Sequence, residues 1–175
     1  MTSKQQIHIT FPKSVQTVVE KHCFSDVSVE VGGFLIGTLG EKGPDIKAAI
    51  PSLKAISGQT NLTIGHDAWE EAHQIMEKDY PEYQIVGWFH SHPGFGLFLS
   101  DYDSFIQENF FSDPKHVALV VDPIAAELGW FIVQDGETKE LFRKPTHKNL
   151  SDKPSKKDAE PTKADIVDKL GGKAI

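Results

Sequence analysis

The stretch QIVGWFHSHPGFGLFLSDYD, residues 84–103, decides the fold. Its opening run, Gln84 to Phe89, is apolar enough for a strand buried on both faces in the middle of a sheet. His90 and His92 stand at its end, and strand side chains two apart project to the same side, so both imidazoles can share one ion. A loop from Pro93 to Leu99 leads to Ser100, which can cap a helix reaching to about Phe111. Asp103 falls in the first turn of that helix. A strand end and a helix start meeting there would place two nitrogens and one carboxylate oxygen around zinc, leaving the fourth tetrahedral position for water.

Upstream, Ile7 to Phe11 alternates as a short strand, and Pro12 opens a helix with Val15, Val18, Val19 and Cys23 on one face. Residues 27–39 (VSVEVGGFLIGTL) read as strand material with glycines at 32, 33 and 37, and Glu30 is the single charge within it. Further strands are expected at Ile46 to Leu53 and Asn61 to Ile64. A helix then begins with Asp67 and Glu70 in capping-box spacing, burying Trp69, Ala72, His73 and Met76 until Pro81 stops it. Downstream, His116 to Val121 and Gly129 to Gln134 read as strands, with Thr138 to Phe142 as a closing hairpin partner. Trp88, Phe89 and Trp130 are read as core or flanking aromatics. His73 is read as a hydrogen-bonded core histidine, and no spacing singles out His8, His22, His66, His116 or His147.

The 175 residues, 39% hydrophobic and 25% charged, suit one soluble domain with a tail. The domain is expected over 1–143, and 144–175 as a flexible polar tail with a short helix at 164–170 ending at Leu170-Gly171-Gly172. No apolar run approaches the ~18 residues of a membrane span, and the N-terminus lacks the apolar stretch of a signal peptide, so a cytoplasmic protein is expected. Cys23 is the only cysteine, which excludes an internal disulfide and a thiolate zinc cluster, and its apolar helical position reads as packing. Residues 1–143 carry 10 Lys and Arg against 20 Asp and Glu, a net charge of −10, while the tail carries +3. An acidic body argues against nucleic acid as the main partner.

In the chemistry these residues suggest, Glu30 takes a proton from the attacking water and passes it to a leaving amine, while Ser100 donates to the oxyanion. Each feature alone has a plainer reading. Ser100 with Asp103 is also a helix-start pattern, an H-x-H pair is often a packing feature, and a buried Glu can be satisfied by a Lys. The conjunction carries the argument: H-S-H-P at a strand end, seven residues to Ser100, two more to Asp103, and an upstream Glu beside a glycine-rich strand.

GWFHSHPGFGLFLSDYD resembles the JAMM signature of MPN-domain zinc metallopeptidases, most closely the proteasome-lid and signalosome subunits, in a minimal form. The resemblance extends to EVGGFLIG around Glu30 and to HVALVVDP, covering roughly residues 5–143. It implies an α/β, cytidine deaminase-like MPN domain, with helices around a mixed, largely antiparallel sheet. It also implies one zinc per chain on His90, His92 and Asp103, Glu30 as general base, and Ser100 steadying the tetrahedral intermediate. The implied reaction is hydrolysis of a peptide or isopeptide bond after the Gly-Gly end of ubiquitin or a ubiquitin-like protein. Phe95 and Phe98, in the loop beside the metal ligands, are the candidate substrate contacts. The connection from Asp122 to Trp130 leaves no room for the second insertion of larger members, and no cysteine serves the endosomal members' structural zinc. Two rival functions stay open: a catalytically silent interaction module, and a peptidase trimming a ubiquitin-like sulfur carrier. Self-association and the need for a partner subunit also stay open.

Overall fold

A computed structural model describes residues 6–53, 56–57 and 62–148; the helix expected at 164–170 lies outside them. Among the described residues three helices occur, α1 (Lys13–Ser25), α2 (His66–Asp79) and α3 (Asp101–Phe110). The strands are β1 (Gly32–Gly40), β2 (Gly43–Pro51), β3 (Ile56–Ser57), β4 (Leu62–Thr63), β5 (Gln84–Ser91), β6 (Val117–Asp122), β7 (Glu127–Gln134) and β8 (Glu137–Pro145). Six of them form a sheet of order β2-β1-β5-β6-β7-β8, and β3 pairs with β4 separately. Within the sheet β5 and β6 run parallel and the other neighbours antiparallel, giving the mixed, largely antiparallel α/β architecture expected. A parallel pair needs a crossover, and α3 supplies it.

β6 shows how the sheet is covered on both faces. Val117, Leu119 and Val121 pack with Val15, Val19 and Cys23 of α1, while Ala118 and Val120 join Ala72 and Met76 of α2 and Ile106 of α3. The period of two thus divides one apolar strand between two cores.

The antiparallel register of β1 on β5 sets Gly32 opposite His90. Ser91 locks that corner, its N–H donating to Val31 O at 2.8 Å and its hydroxyl accepting from Val31 N at 2.9 Å. Only glycine suits position 32, because a Cβ there would lie 2.4 Å from Phe89 O and 3.1 Å from His90 Cβ. The start of β1 therefore delivers Glu30 to the end of β5, where the histidines are.

Several sequence expectations are corrected. Strand pairing over Ile7 to Phe11 reduces to one bridge, Thr10 with Asp45. Val18 is exposed, since α1 meets the sheet along the narrow stripe Val15, Val19 and Cys23. Glu30 precedes its strand, which starts at Gly32. Helix α2 begins at His66 behind Gly65 with no side-chain cap, so the Asp67–Glu70 box does not form. Its inner face is Ala68, Ala72, Ile75 and Met76; Trp69 sits at the flank against Phe34, and His73 is exposed, stacked on Trp69. At the far end β8 continues beyond Arg143 to Pro145, and His147 N–H reaches Glu20 of α1 at 2.7 Å.

Candidate metal centre

The end of β5 and the first turn of α3 converge on one point. His90 Nε2, His92 Nε2 and Asp103 Oδ2 form a triangle with sides of 3.0, 3.1 and 3.2 Å, and all three residues are buried. Tetrahedral zinc with bonds of ~2.0–2.1 Å sets its ligands roughly 3.3 Å apart, so the triangle fits one face of that tetrahedron with little adjustment. Two imidazoles and a carboxylate are also the donor set such an ion takes.

Local structure fixes each donor. Trp88 stacks flat on His90, 4.4 Å between centroids and 6° between planes, and donates from Nε1 to Gln107 Oε1 at 2.6 Å. Gln107 lies one turn after Asp103, so this bond ties the helix carrying the carboxylate to the strand carrying the imidazoles. His92 donates from Nδ1 to Gly96 O at 3.1 Å, which turns Nε2 towards His90, Asp103 and Glu30. His90 Nδ1 is buried with no hydrogen-bond partner among the described residues.

Asp103 belongs to a capping box. Its N–H donates to Ser100 Oγ at 3.1 Å, and its Oδ2 accepts the Ser100 N–H at 3.0 Å. The helix-start and ligand readings of this residue are therefore one geometry, because the oxygen that accepts Ser100 N–H also faces both imidazoles. Ser100 Oγ uses a lone pair in the cap and keeps its O–H to donate.

The two carboxylates are driven apart. Burial works to raise Asp103, but the His90 imidazole, hydrogen bonds from both histidines and the Ser100 N–H outweigh it and hold the carboxyl far below the usual range. Burial lowers the pKa of His90, keeping that imidazole neutral. Glu30, 2% exposed, is pushed up to about 7, first by burial, with His92 lowering and Asp103 raising it. Its Oε1 lies 3.3 Å from His92 Nε2, and its Oε2 is buried without a partner among the described residues. Glu30, His90 and His92 each offer an atom within 4.8 Å of the others, so a second metal-holding group shares the histidine pair.

The loop after His92 covers this corner. Phe98 lies 4.8 Å from the His92 ring, and Phe95 and Phe98 are 51% and 45% exposed. Sequence reasoning missed Asp122, which ends β6 and is buried; its carboxylate accepts N–H groups from Gly94, Gly96, Ile124 and Ala125. Asp122-Pro123 after an apolar run signals a turn, but nothing in it signals the contact to residues 94 and 96.

The profile of the family described as JAB1/Mov34/MPN/PAD-1 ubiquitin protease matches residues 3–113. Ubiquitin carboxyl-terminal hydrolase RPN11 of Saccharomyces cerevisiae is 31% identical over 119 residues, 65% of this chain and 38% of its own length. COP9 signalosome complex subunit 5 of Eremothecium gossypii is 34% identical over 108 residues, 59% of this chain and 25% of its own length. The chain thus spans well under half the length of these curated relatives. The solution structure of protein DSY2949 from Desulfitobacterium hafniense shares the fold, with a TM-score of 0.59 at 20% identity, covering 76% of this chain and 89% of that one.

Proposed function

Because the chain belongs to the JAB1/Mov34/MPN/PAD-1 family, we propose that it is a zinc-dependent peptidase cleaving a peptide or isopeptide bond after the Gly-Gly end of ubiquitin or a ubiquitin-like protein. The observation that carries the reading is the triangle of His90, His92 and Asp103 with an elevated Glu30 beside it. His90, His92 and Asp103 would hold one zinc, since their three donor atoms stand 3.0 to 3.2 Å apart, while Glu30, which shares the histidine pair in a second possible group, would serve the water. Bound zinc supplies Lewis acidity, lowering the pKa of water and polarising a carbonyl oxygen.

The protein's own residues do the rest. With a pKa of about 7, Glu30 takes a proton at neutral pH and returns it to the leaving amine. Ser100 donates its O–H to the oxygen that gains charge. Phe95 and Phe98 flank the approach, where an extended tail can pair its backbone with the loop edge while the rings exclude water.

The test is incubation with ubiquitin-like fusions ending in Gly-Gly, with mass measurement of the product ends. Glu30→Gln should retain zinc and lose at least ~10²-fold in turnover, and His92→Ala should release the metal. Zinc retention without cleavage of any carrier would favour a silent interaction module. Loss of zinc in Glu30→Gln would make Glu30 a ligand instead.

A further inference from the structure

We propose that Asp122 is a positioning residue for the metal centre, holding Gly96 so that its carbonyl orients the His92 imidazole with Nε2 turned towards the other donors. The inference rests on the reading of His92 as a ligand. Asp122 sits at the end of β6 beside the end of β5, and His92 N–H donates to Val121 O at 2.8 Å, so the loop leaves β5 directly over this carboxylate. Oδ1 accepts from Gly94 N (3.0 Å), Ile124 N (3.0 Å) and Ala125 N (3.1 Å), while Oδ2 accepts from Gly96 N alone, at 3.1 Å. Gly96 is thus held on both sides of its Cα, its N–H by Asp122 and its carbonyl by His92 Nδ1–H at 3.1 Å.

The loop backbone needs such an anchor. Gly94 and Gly96 have φ of +78° and +85°, in the left-handed region, and glycine gains the most conformational freedom when such a turn is released. A buried carboxylate accepting four N–H groups opposes that release. Without the Gly96 contact, the carbonyl that His92 depends on would sample other directions, and the imidazole would be free to turn Nε2 away from His90 and Asp103.

The division of donors between the two oxygens supplies a selective probe. The amide introduced by Asp122→Asn keeps Oδ1 for Gly94, Ile124 and Ala125 and sets its NH₂ against the Gly96 N–H, so the turn survives and the Gly96 contact is lost. Asp122→Ala removes all four acceptors. Zinc affinity would be measured by chelator competition, and the His92 Nδ1–H to Gly96 hydrogen bond by the solvent-exchange rate of the Nδ1 proton in NMR. Both variants are expected to bind zinc ~10 to 100-fold more weakly than wild type, the range for loss of a group that orients a metal ligand. Asp122→Asn should also exchange the Nδ1 proton faster than wild type, which a turn residue with no link to His92 would not do. Zinc affinity within twofold of wild type in Asp122→Asn, or an unchanged exchange rate, overturns the proposal. Failure of the wild-type protein to bind zinc would instead overturn the function proposed above, and the exchange measurement would still decide the role of Asp122.

Discussion

Replacing Trp88 with phenylalanine should cost ~3 to 4 kcal/mol of stability and weaken zinc binding together. Trp88 is fully buried, and the smaller ring omits two indole carbons, worth ~0.8 kcal/mol each by analogy with buried methylene groups. It also removes the donor to Gln107 Oε1, a buried oxygen left unsatisfied at ~1 to 3 kcal/mol. Gln107 holds a second bond, from Nε2 to His116 O at 2.9 Å, so it cannot turn towards solvent without breaking that as well. Urea unfolding of the metal-free protein measures the loss, and a cycle with Gln107→Met isolates the bond. The double variant should be less destabilised than the two singles added together by at least ~1 kcal/mol, the coupling expected of residues in contact. Zinc affinity should fall by ~10-fold, because the bond sets the helix of Asp103 against the strand of His90. A loss below ~1 kcal/mol, or additivity in the cycle, would show that the tryptophan only fills space.

In the metal-free protein, Glu30 is raised from 4.5 to about 7, so the native state holds a proton that the unfolded chain has lost. Its contribution is complete below pH 4.5 and lost as pH rises through about 7, so wild-type Tm relative to Glu30→Gln should decline across that window; parallel curves would contradict the shift. Gly32→Ala should cost ~1 to 3 kcal/mol by overpacking, since its Cβ would meet Phe89 O at 2.4 Å, whereas Gly40→Ala meets only ordinary contact at 3.5 Å. Equal urea midpoints for the two would refute that difference. Removing residues 149–175 should leave Tm within a few degrees, but removing 144–175 should lower it by more, because Lys144 and Pro145 pair with β7 and His147 bonds Glu20; calorimetry of both truncations decides. Replacing the last glycine of a Gly-Gly carrier with valine should lower kcat/KM by at least ~10²-fold, the loss from misplacing a reacting bond by ~1 Å, and equal rates on both tails would move selection elsewhere on the carrier.

Residues whose placement follows from local periodicity were legible in the sequence. An apolar run ending in H-S-H-P gives a central strand with two same-side imidazoles, and Ser100 gives the helix start that delivers Asp103. What failed was the choice of face where size competes with spacing. Trp69 and His73 suggested the inner side of α2, but the small residues Ala68 and Ala72 let that helix approach, turning the inner stripe by one position. Gly65 precedes α2, so the actual helix start had no side-chain signature to read. Asp122 was illegible for another reason: its partners at 94 and 96 are backbone N–H groups far back in the chain, which any residue type supplies. Contacts of that kind leave a trace only in the glycines whose φ they require.

The separation of the two carboxylates explains why this corner needs so much of the fold. Two acids of similar intrinsic pKa, both buried near the same imidazoles, would titrate alike unless their remaining contacts differed. Asp103 is reached by a hydrogen bond from the N-cap of its own helix, whose partial positive charge favours the anion. It is thereby deprotonated at any working pH, ready to ligate without first releasing a proton. Glu30 stands on a strand entrance opposite, with one oxygen unpartnered among the described residues, so burial dominates and it stays exchangeable near neutrality. Helix start and strand entrance come from segments about seventy residues apart, and the glycine at 32 is what lets the second approach the histidines closely enough. The capping box on α3 and the close β1–β5 register are therefore conditions for one group to remain an anion while the other exchanges its proton near neutrality.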